Sequence, residues 1–209
     1  LYARSLCIGR FGACAVRALH RACAAAESSG SSARKLEPSL RDALVLLRET
    51  LATAPARQIQ VSHAPPILIF TDGACEPEGD RLVGTIGAAL LDPAGRRYEY
   101  LAGEVKRVTM SVFERAAANP IVQIETLGLL AGFSACHHLL INRPVIVFVD
   151  NDASRACLVT GSAREEVNAK LVQEICFREI RARTLAWYER APSCSNLADD
   201  PSRGVRPAA

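Results

Sequence analysis

The sequence predicts an α/β domain: a five-stranded mixed sheet whose first three strands are antiparallel, with helices on both faces, preceded by a helical segment. Three observations lead to this prediction. Two short runs, "ILIF" and "VIVFV", are wholly apolar, which predicts strands that are buried on both faces in the middle of a sheet. The segment "LVGTIGAALLDPAGRRYEYLAGEV" has a turn signal near its centre and predicts two antiparallel strands. Apolar helical segments between the later strands provide the crossovers of a mixed sheet.

Residues 1–60 are predicted to be helical and contain few strand formers. An Ala-rich helix runs to about Ala26, and the stretch "ESSGSSARK" after it is typical of a flexible linker. A second helix follows from about Pro38. Its leucines recur at steps of four, three and four, which predicts one buried stripe on one face: Leu40, Leu44, Leu47 and Leu51.

The charge of the chain is modest but unevenly distributed. The 209 residues have a formal net charge of +3, and residues 1–60 contain nine Lys or Arg against four acids. This bias is compatible with a polyanionic partner, and equally with arginines that only solvate helices. No apolar run predicts a membrane contact, and we expect an intracellular protein, in either cytoplasm or nucleus. The chain begins with Leu rather than Met, so we interpret it as a piece of a longer product or as an incomplete reading frame.

The strands and helices after Pro66 alternate in a defined order. The first strand is followed by Asp72, and a hairpin turns at residues 92–95. Asn119 is a predicted N-cap of one long helix that runs to about residue 140. A further strand ends at Asp150, and two helices, a last strand in "TLAWYER" and a short turn in "SNLADDPSRG" complete the domain. Residues 205–209 are predicted to be a disordered tail.

Cysteine and histidine residues form no metal-binding pattern in the sequence. The eight cysteines include no CxxC pair, and we interpret them as reduced and mostly buried thiols. The four histidines have neither zinc-ligand nor catalytic-triad spacing.

Two aspartates follow the two wholly apolar strands. If these strands are parallel neighbours, Asp72 and Asp150 lie at the same edge of the sheet, because neighbouring strands are ~4.8 Å apart. Two carboxylates this close repel each other unless a cation lies between them. The arrangement therefore indicates a site for a divalent ion.

Two further acids are predicted to reach the same edge. Glu125 shares a helical stripe with Gly128 and Gly132, whose small size lets that face approach the sheet closely. Asp199 or Asp200 begins the final turn. Each acid also has an ordinary interpretation, as a turn residue, a helix cap or a solvated charge.

Five motifs in this order resemble the ribonuclease H domain of retrotransposon reverse transcriptases. They are "FTDGACEP", "VGTIGAALLDPAG", "QIETLGLLAG", "VIVFVDND" and "SNLADDPSRG", and the ending "ADxxSR" is similar to the retroelement branch. The resemblance covers about residues 66–204 and places a ribonuclease H-like domain at 64–204. Residues 1–60 are similar, more weakly, to the helical segment that connects such a domain to its polymerase.

The resemblance implies a two-metal hydrolase that cleaves the RNA strand of an RNA–DNA hybrid. Two Mg²⁺ ions, or Mn²⁺ as a substitute, would be held by four acids: Asp72, Glu125, Asp150 and Asp199, with Asp200 as the alternative fourth ligand. It also implies substrate contacts from five residues: Gly73, Gln123, Asn151, Lys106 and Arg107. The partners would be the hybrid and the upstream polymerase part of the same polyprotein.

Two departures from the family pattern leave an alternative open. The loop "ERAPSCSN" lacks the histidine that many cellular ribonucleases H carry before the last carboxylate, and the basic, Trp-rich handle of the cellular enzymes is missing. The alternative is a catalytically inactive domain of the same fold that binds nucleic acid or scaffolds a polymerase.

Overall fold

The computed structural model describes residues 9–28, 38–53, 65–184 and 186–205. In these ranges the chain forms eight α-helices, five strands and a 3-10 helix at Ser193–Ser195. In chain order the α-helices and strands are α1 (Arg10–Ser28), α2 (Pro38–Thr53), β1 (Ile67–Glu78), β2 (Arg81–Asp92), β3 (Arg97–Glu104), α3 (Arg107–Ala116), α4 (Ile121–Ala135), α5 (His137–Leu140), β4 (Val145–Val149), α6 (Asp152–Thr160), α7 (Glu166–Ala182), β5 (Ala186–Arg190) and α8 (Asp199–Ser202).

The five strands form one mixed sheet with the spatial order β3-β2-β1-β4-β5. Strands β1, β2 and β3 are antiparallel neighbours, and β4 pairs in parallel with both β1 and β5. The predicted sheet, with its antiparallel first half and parallel second half, is confirmed.

Strand β1 is longer than the apolar run predicts, and it does not end before Asp72. It continues to Glu78 and pairs with β2 along this whole length, with Asp72 opposite Gly87. The prediction that Asp72 follows the strand is therefore wrong. The reason is that the β1–β2 hairpin extends beyond the parallel pair of β1 with β4, which stops at Thr71 and Val149.

The two faces of the central strands are covered unequally. Ile67 and Ile69 are at most 1 % exposed, whereas Leu68 and Phe70 on the opposite face are only half-buried. Helix α4 covers the first face, and the short helix α8 covers the second face only next to Asp72. Wholly apolar strands are thus fully buried on one face, contrary to the prediction of burial on both.

Two helices differ from the prediction, α4 in its extent and α3 in being present at all. Helix α4 begins at Ile121 and ends at Ala135, and the separate short helix α5 follows after Cys136. The Ile121 backbone N–H donates a hydrogen bond to the Asn119 side-chain oxygen at 3.3 Å. Helix α3 was not predicted. It buries only Met110 and Phe113, and two apolar positions are too few to give a clear helical period.

The N-terminal helices pack into the same core as the sheet. Phe11 and Leu46 are buried in one cluster with residues of β1, β4 and α7. The predicted leucine stripe of α2 is wrong at two positions, since Leu44 and Leu51 are 39 % and 53 % exposed. The buried face is rotated onto three other positions, which also recur at helical spacing: Ala43, Leu46 and Thr50. Of the predicted linker at residues 27–35, Glu27 and Ser28 belong to α1, and residues 29–35 lie outside the described residues. The division at residue 60 stays a prediction.

The described cysteines are all free thiols. Three of the seven are buried, two are half-buried, and Cys23 and Cys194 are exposed, whereas Cys7 lies outside the described residues. In the described ranges no helix is both long and apolar enough to cross a lipid bilayer.

Candidate active site

Asp72 and Asp150 lie side by side at the end of the central parallel pair. The last paired residues of β1 and β4 are Thr71 and Val149, and each aspartate is the next residue in its chain segment. Parallel neighbours bring consecutive residues to the same edge, at the ~4.8 Å spacing of adjacent strands. The proximity that the sequence predicted thus follows from the register of the sheet.

The Asp72 side chain points to the face of the sheet that α8 covers. It is 7 % exposed, and its Oδ2 accepts a hydrogen bond from the Ser202 hydroxyl at 2.5 Å. Burial raises the pKa of Asp72, and the negative charges of Asp150 and Asp199 raise it further, while the bond from Ser202 opposes them. The carboxylate therefore lies in a region of excess negative charge.

Glu125 reaches the site from α4, which approaches β1 closely at Gly128. A Cβ atom at Gly128 would lie 3.0 Å from the backbone oxygen of Asp72, so a larger residue would push the helix away. The Glu125 carboxylate is 5 % exposed and accepts hydrogen bonds from Asn151 Nδ2 and Ser154 Oγ, both at 3.1 Å. The small residues that the sequence singled out on this helix do allow the predicted close approach.

Glu125 is the site acid whose pKa lies furthest above its ordinary value. Burial, followed by the charge of Asp150, raises the pKa of Glu125 to about 8, although Asn151 and Ser154 stabilise its ionised form. The charge of Asp72 adds a smaller increase. In the absence of a cation, Glu125 is consequently protonated at neutral pH.

Asp150 is the acid that the others share as a neighbour. Its charge is the largest Coulombic contribution to the raised pKa of both Asp72 and Glu125. Its Oδ2 accepts a hydrogen bond from Ser193 Oγ at 3.2 Å, while its Oδ1 is buried and has no hydrogen-bond partner among the described residues. Asp150 thus lies between Asp72 on one face of the sheet and Glu125 on the other.

Asp199 and Asp200 both lie in the first turn of α8, but they act on different neighbours. The charge of Asp199 contributes to the raised pKa of Asp72, whereas that of Asp200 contributes to the raised pKa of Tyr98 on β3. Asp199 Oδ1 also accepts two hydrogen bonds of 3.0 Å from the Arg203 guanidinium. The structure therefore brings Asp199 into the electrostatic neighbourhood of Asp72.

Three of the residues predicted to contact substrate have internal roles in the structure. A Cβ atom at Gly73 would lie 3.0 Å from the Glu125 backbone nitrogen, so this glycine permits helix packing. Gln123 is 4 % exposed and donates to Glu165 at 3.1 Å. Asn151 donates to Glu125 and caps α6 through its side-chain oxygen. Their contact with substrate stays a prediction.

The two predicted basic contacts lie on the surface at the start of α3. Lys106 is exposed, and the exposed Arg107 pairs with Glu114 through two hydrogen bonds of 2.7 and 2.8 Å. Both cations are accessible, and their contact with phosphate also stays a prediction.

Sequence reasoning missed the hydroxyl groups that hold the acids. One serine donates to each of three carboxylates: Ser202 to Asp72, Ser154 to Glu125 and Ser193 to Asp150. A signal was present only for Ser202, which belongs to the "ADxxSR" ending. The other two serines come from loop and helix positions that no motif marks.

The chemistry of the acid cluster fits magnesium. Carboxylate oxygens are the ligands that Mg²⁺ prefers, and a cation would relieve the mutual repulsion and give the orphaned Asp150 Oδ1 a partner. In the described part of the chain, no group of three or more His, Cys, Asp or Glu side chains is arranged to hold a metal ion. Mg²⁺ retains waters and is commonly bound through one or two carboxylates together with substrate phosphate, so a complete protein cage is not required.

Comparison with solved structures identifies the fold. The N-terminal RNase H domain of Rv2228c from Mycobacterium tuberculosis, solved as a fusion with maltose binding protein, matches with a TM-score of 0.51 and 18 % identity over 66 % of this chain and 91 % of that one. RNase H1 from Halobacterium salinarum matches with a TM-score of 0.48 and 16 % identity over 66 % and 94 % of the two chains. A foamy viral protease-reverse transcriptase in complex with dsDNA matches with a TM-score of 0.44 and 11 % identity over 67 % and 96 %.

No protein-family model matches the chain, and no curated protein matches it. The identity to the mycobacterial domain is 18 %, so this similarity shows the fold and not the activity. The chain has the ribonuclease H-like fold, since its five-stranded mixed sheet with helices superimposes on the mycobacterial domain with a TM-score of 0.51.

Proposed function

We propose that the chain is a metal-dependent endonuclease that hydrolyses the RNA strand of RNA–DNA hybrids, as part of a retroelement reverse transcriptase. One observation carries the proposal. Asp72 lies in a strand, Glu125 in a helix and Asp150 directly after a second strand, and their charges nevertheless act on one another inside a largely buried site. Clusters of like charge are costly to bury, which favours a function that needs them together.

In this proposal Asp72, Glu125, Asp150 and Asp199 hold two Mg²⁺ ions, for which Mn²⁺ can substitute. The ions, when bound, activate a water molecule and stabilise the leaving oxygen of an in-line displacement at phosphorus. The protein contributes orientation, because serine hydroxyls and the Asn151 amide fix the acids before substrate arrives.

Glu125 must release its proton before it can act as an ionised ligand, since its pKa is raised to about 8 in the ion-free protein. Binding of a divalent cation therefore displaces a proton from this carboxyl. This requirement favours activity at neutral to alkaline pH over activity at acidic pH.

The substrate side of the proposal depends on the surface around the acids. A wide, shallow minor groove with 2′-hydroxyls distinguishes an RNA-containing duplex from B-form DNA. Lys106 and Arg107 are the exposed cations proposed to contact its phosphates, and Gly73, Gln123 and Asn151 the groups proposed near the minor groove. The upstream polymerase is the proposed partner that delivers the hybrid.

Cleavage of a labelled RNA–DNA hybrid tests the proposal directly. With Mg²⁺ the native chain is expected to cut the RNA strand, and Asp72→Asn and Asp150→Asn are each expected to reduce the rate on the order of 100-fold or more. Asp152→Asn is the matched control, because Asp152 lies two residues from Asp150 but has a 62 % exposed side chain that pairs with arginines. Chelation of the metal should abolish cutting.

The alternative is a catalytically inactive domain that binds hybrid or scaffolds the polymerase. It is favoured by the lack of any preformed three-ligand group among the described residues, and by the internal hydrogen bonds that already occupy the acids. A folded native chain that binds hybrid but never cuts it with Mg²⁺ or Mn²⁺ would establish this alternative.

A further inference from the structure

Ser202 is a buried serine whose hydroxyl lies between two of the proposed ligand residues. Its side chain has no exposed surface. The Oγ atom is 2.5 Å from Asp72 Oδ2 and 2.8 Å from the backbone oxygen of Asp199. A hydroxyl has one proton, so these two oxygens compete for it or share it. The side chain thus connects the carboxylate on β1 to the first turn of α8.

Gly87 allows Ser202 to come this close to Asp72. In the sheet, Gly87 is directly opposite Asp72. A Cβ atom at Gly87 would lie 2.4 Å from the Ser202 nitrogen and 2.6 Å from the Ala198 oxygen. Backbone atoms cannot tolerate such distances, so any other residue at this position would displace α8 from the sheet.

Asn196 attaches the other end of this segment to the same strand. Its side-chain amide is buried and donates to the backbone oxygen of Thr71 at 3.0 Å, while its oxygen accepts from the Ala198 backbone at 3.2 Å. Thr71 is the residue immediately before Asp72. The final helix is therefore tied to two consecutive residues of β1, through Asn196 before the helix and Ser202 at its end.

We propose that Ser202 is a positioning residue of the site, which holds the Asp72 carboxylate in the orientation needed to bind a divalent cation. Gly87 and Asn196 in turn hold Ser202 against β1. The inference rests on the proposed function, because it assumes that Asp72 binds a cation. Hydrogen-bond partners of metal-binding carboxylates orient the ligand, and their loss typically costs about 10- to 100-fold in metal affinity or activity.

The test is the affinity of the metal-free full chain for Mn²⁺, measured by titration calorimetry without nucleic acid. Ser202→Ala is expected to weaken Mn²⁺ binding about 10-fold. Ser202→Thr keeps the hydroxyl and is expected to stay within about twofold of the native affinity. Ser134→Ala is the matched control, because that exposed hydroxyl donates only to a carbonyl of its own helix. Circular dichroism and thermal unfolding verify that each variant is folded.

Native-like Mn²⁺ affinity in folded Ser202→Ala would overturn the inference. If Ser202→Ala does not fold, Ser202→Cys takes its place, since a thiol has a similar shape but donates weakly. Affinity several-fold below native supports the inference, and unchanged affinity overturns it.

Cleavage of the hybrid by the native chain, measured in parallel, separates the inference from the proposed function. A native chain that binds Mn²⁺ but does not cut contradicts the proposed function, while the comparison of the Ser202 variants still decides the positioning role. A native chain that binds no Mn²⁺ overturns both.

Discussion

At the scale of single residues, the site combines acids that repel one another with hydroxyls that hold them. Asp72, Glu125 and Asp150 each accept a hydrogen bond from one serine, and burial raises the pKa of the first two. Hydrogen bonds to an ionised carboxylate stabilise its charge, but here they do not offset burial and repulsion. In the metal-free protein, the raised pKa of Glu125 is therefore expected to lower the free energy of unfolding at pH values above about 4.5.

The stability of the metal-free protein should fall as pH rises from about 4.5 to about 8. The folded protein holds the Glu125 proton up to a pKa of about 8, whereas the unfolded chain loses it near the ordinary glutamate pKa of 4.5. Over this interval the unfolded state binds fewer protons, so the free energy of unfolding decreases with pH. Thermal unfolding in chelator between pH 5.5 and 8.5 should show the decline, and Glu125→Gln should reduce its slope.

The pH experiment has a matched control in Glu166. This exposed glutamate has its pKa lowered by Lys170, so its own contribution to stability is lost only at lower pH. Glu166→Gln should therefore leave the slope between pH 5.5 and 8.5 unchanged. A Glu125→Gln variant with the full native slope would show that other groups cause the decline.

Asp199 is expected to matter more than Asp200 for cleavage of the hybrid. Only the charge of Asp199 is among those that raise the pKa of Asp72, and Asp200 acts on Tyr98. Asp199→Asn should reduce the Mg²⁺-dependent rate about 10-fold or more, and Asp200→Asn by less than about twofold. Steady-state rates over a series of Mg²⁺ concentrations measure the difference, and the reverse order would assign the ligand to Asp200.

At the scale of elements, the site depends on how closely helices approach the sheet. Helix α4 crosses β1 where Gly128 contacts the Asp72 backbone, and α8 contacts β2 at Gly87. Both contacts lie next to Asp72, one on each face of the sheet. Small residues thus set the separation between the acids as well as the packing.

Gly128→Ala should destabilise the protein and lower its activity together. The new methyl group would lie 3.0 Å from the Asp72 oxygen, which forces α4 and Glu125 away from β1. Overpacking of this kind typically costs about 1–3 kcal/mol. Gly103→Ala is the matched control, because nothing lies within 4 Å of its Cβ position. Denaturant unfolding and Mn²⁺ titration measure both effects, and equal behaviour of the two variants would contradict the packing argument.

At the scale of the whole molecule, the N-terminal helices are joined to the sheet domain by a buried polar network. Arg10 in α1 forms an ion pair with the fully buried Glu179, donates to the Ala186 backbone at 2.7 Å and lies over the Tyr188 ring. Glu179 also accepts from Tyr188 at 2.6 Å. Helix α1, which belongs to the helical segment predicted to precede the domain, therefore contributes hydrogen bonds to the core of that domain.

Arg10→Met should destabilise the chain by about 3–5 kcal/mol, because it leaves Glu179 buried without its cation. Urea unfolding measures the change. Adding Glu179→Gln should recover part of the loss, since the amide needs no counter-charge. Lys170→Met, in an exposed pair with Glu166, is the control and should have little effect. A small effect of Arg10→Met would mean that the N-terminal helix contributes little to the domain.

Sequence alone determined the order of the strands along the chain, since apolar runs and turn signals depend on local chemistry. It also singled out the four acids, whose role as metal ligands stays a prediction. It also indicated that Asp72 and Asp150 are neighbours if the two wholly apolar strands pair in parallel, and the structure shows that β1 and β4 do so. Tertiary structure decided the rest. The length of β1, the burial of one sheet face, the partner of Arg10 and the serine donors all depend on contacts between segments distant in sequence. Local patterns do not record such contacts, so only the folded chain could show them.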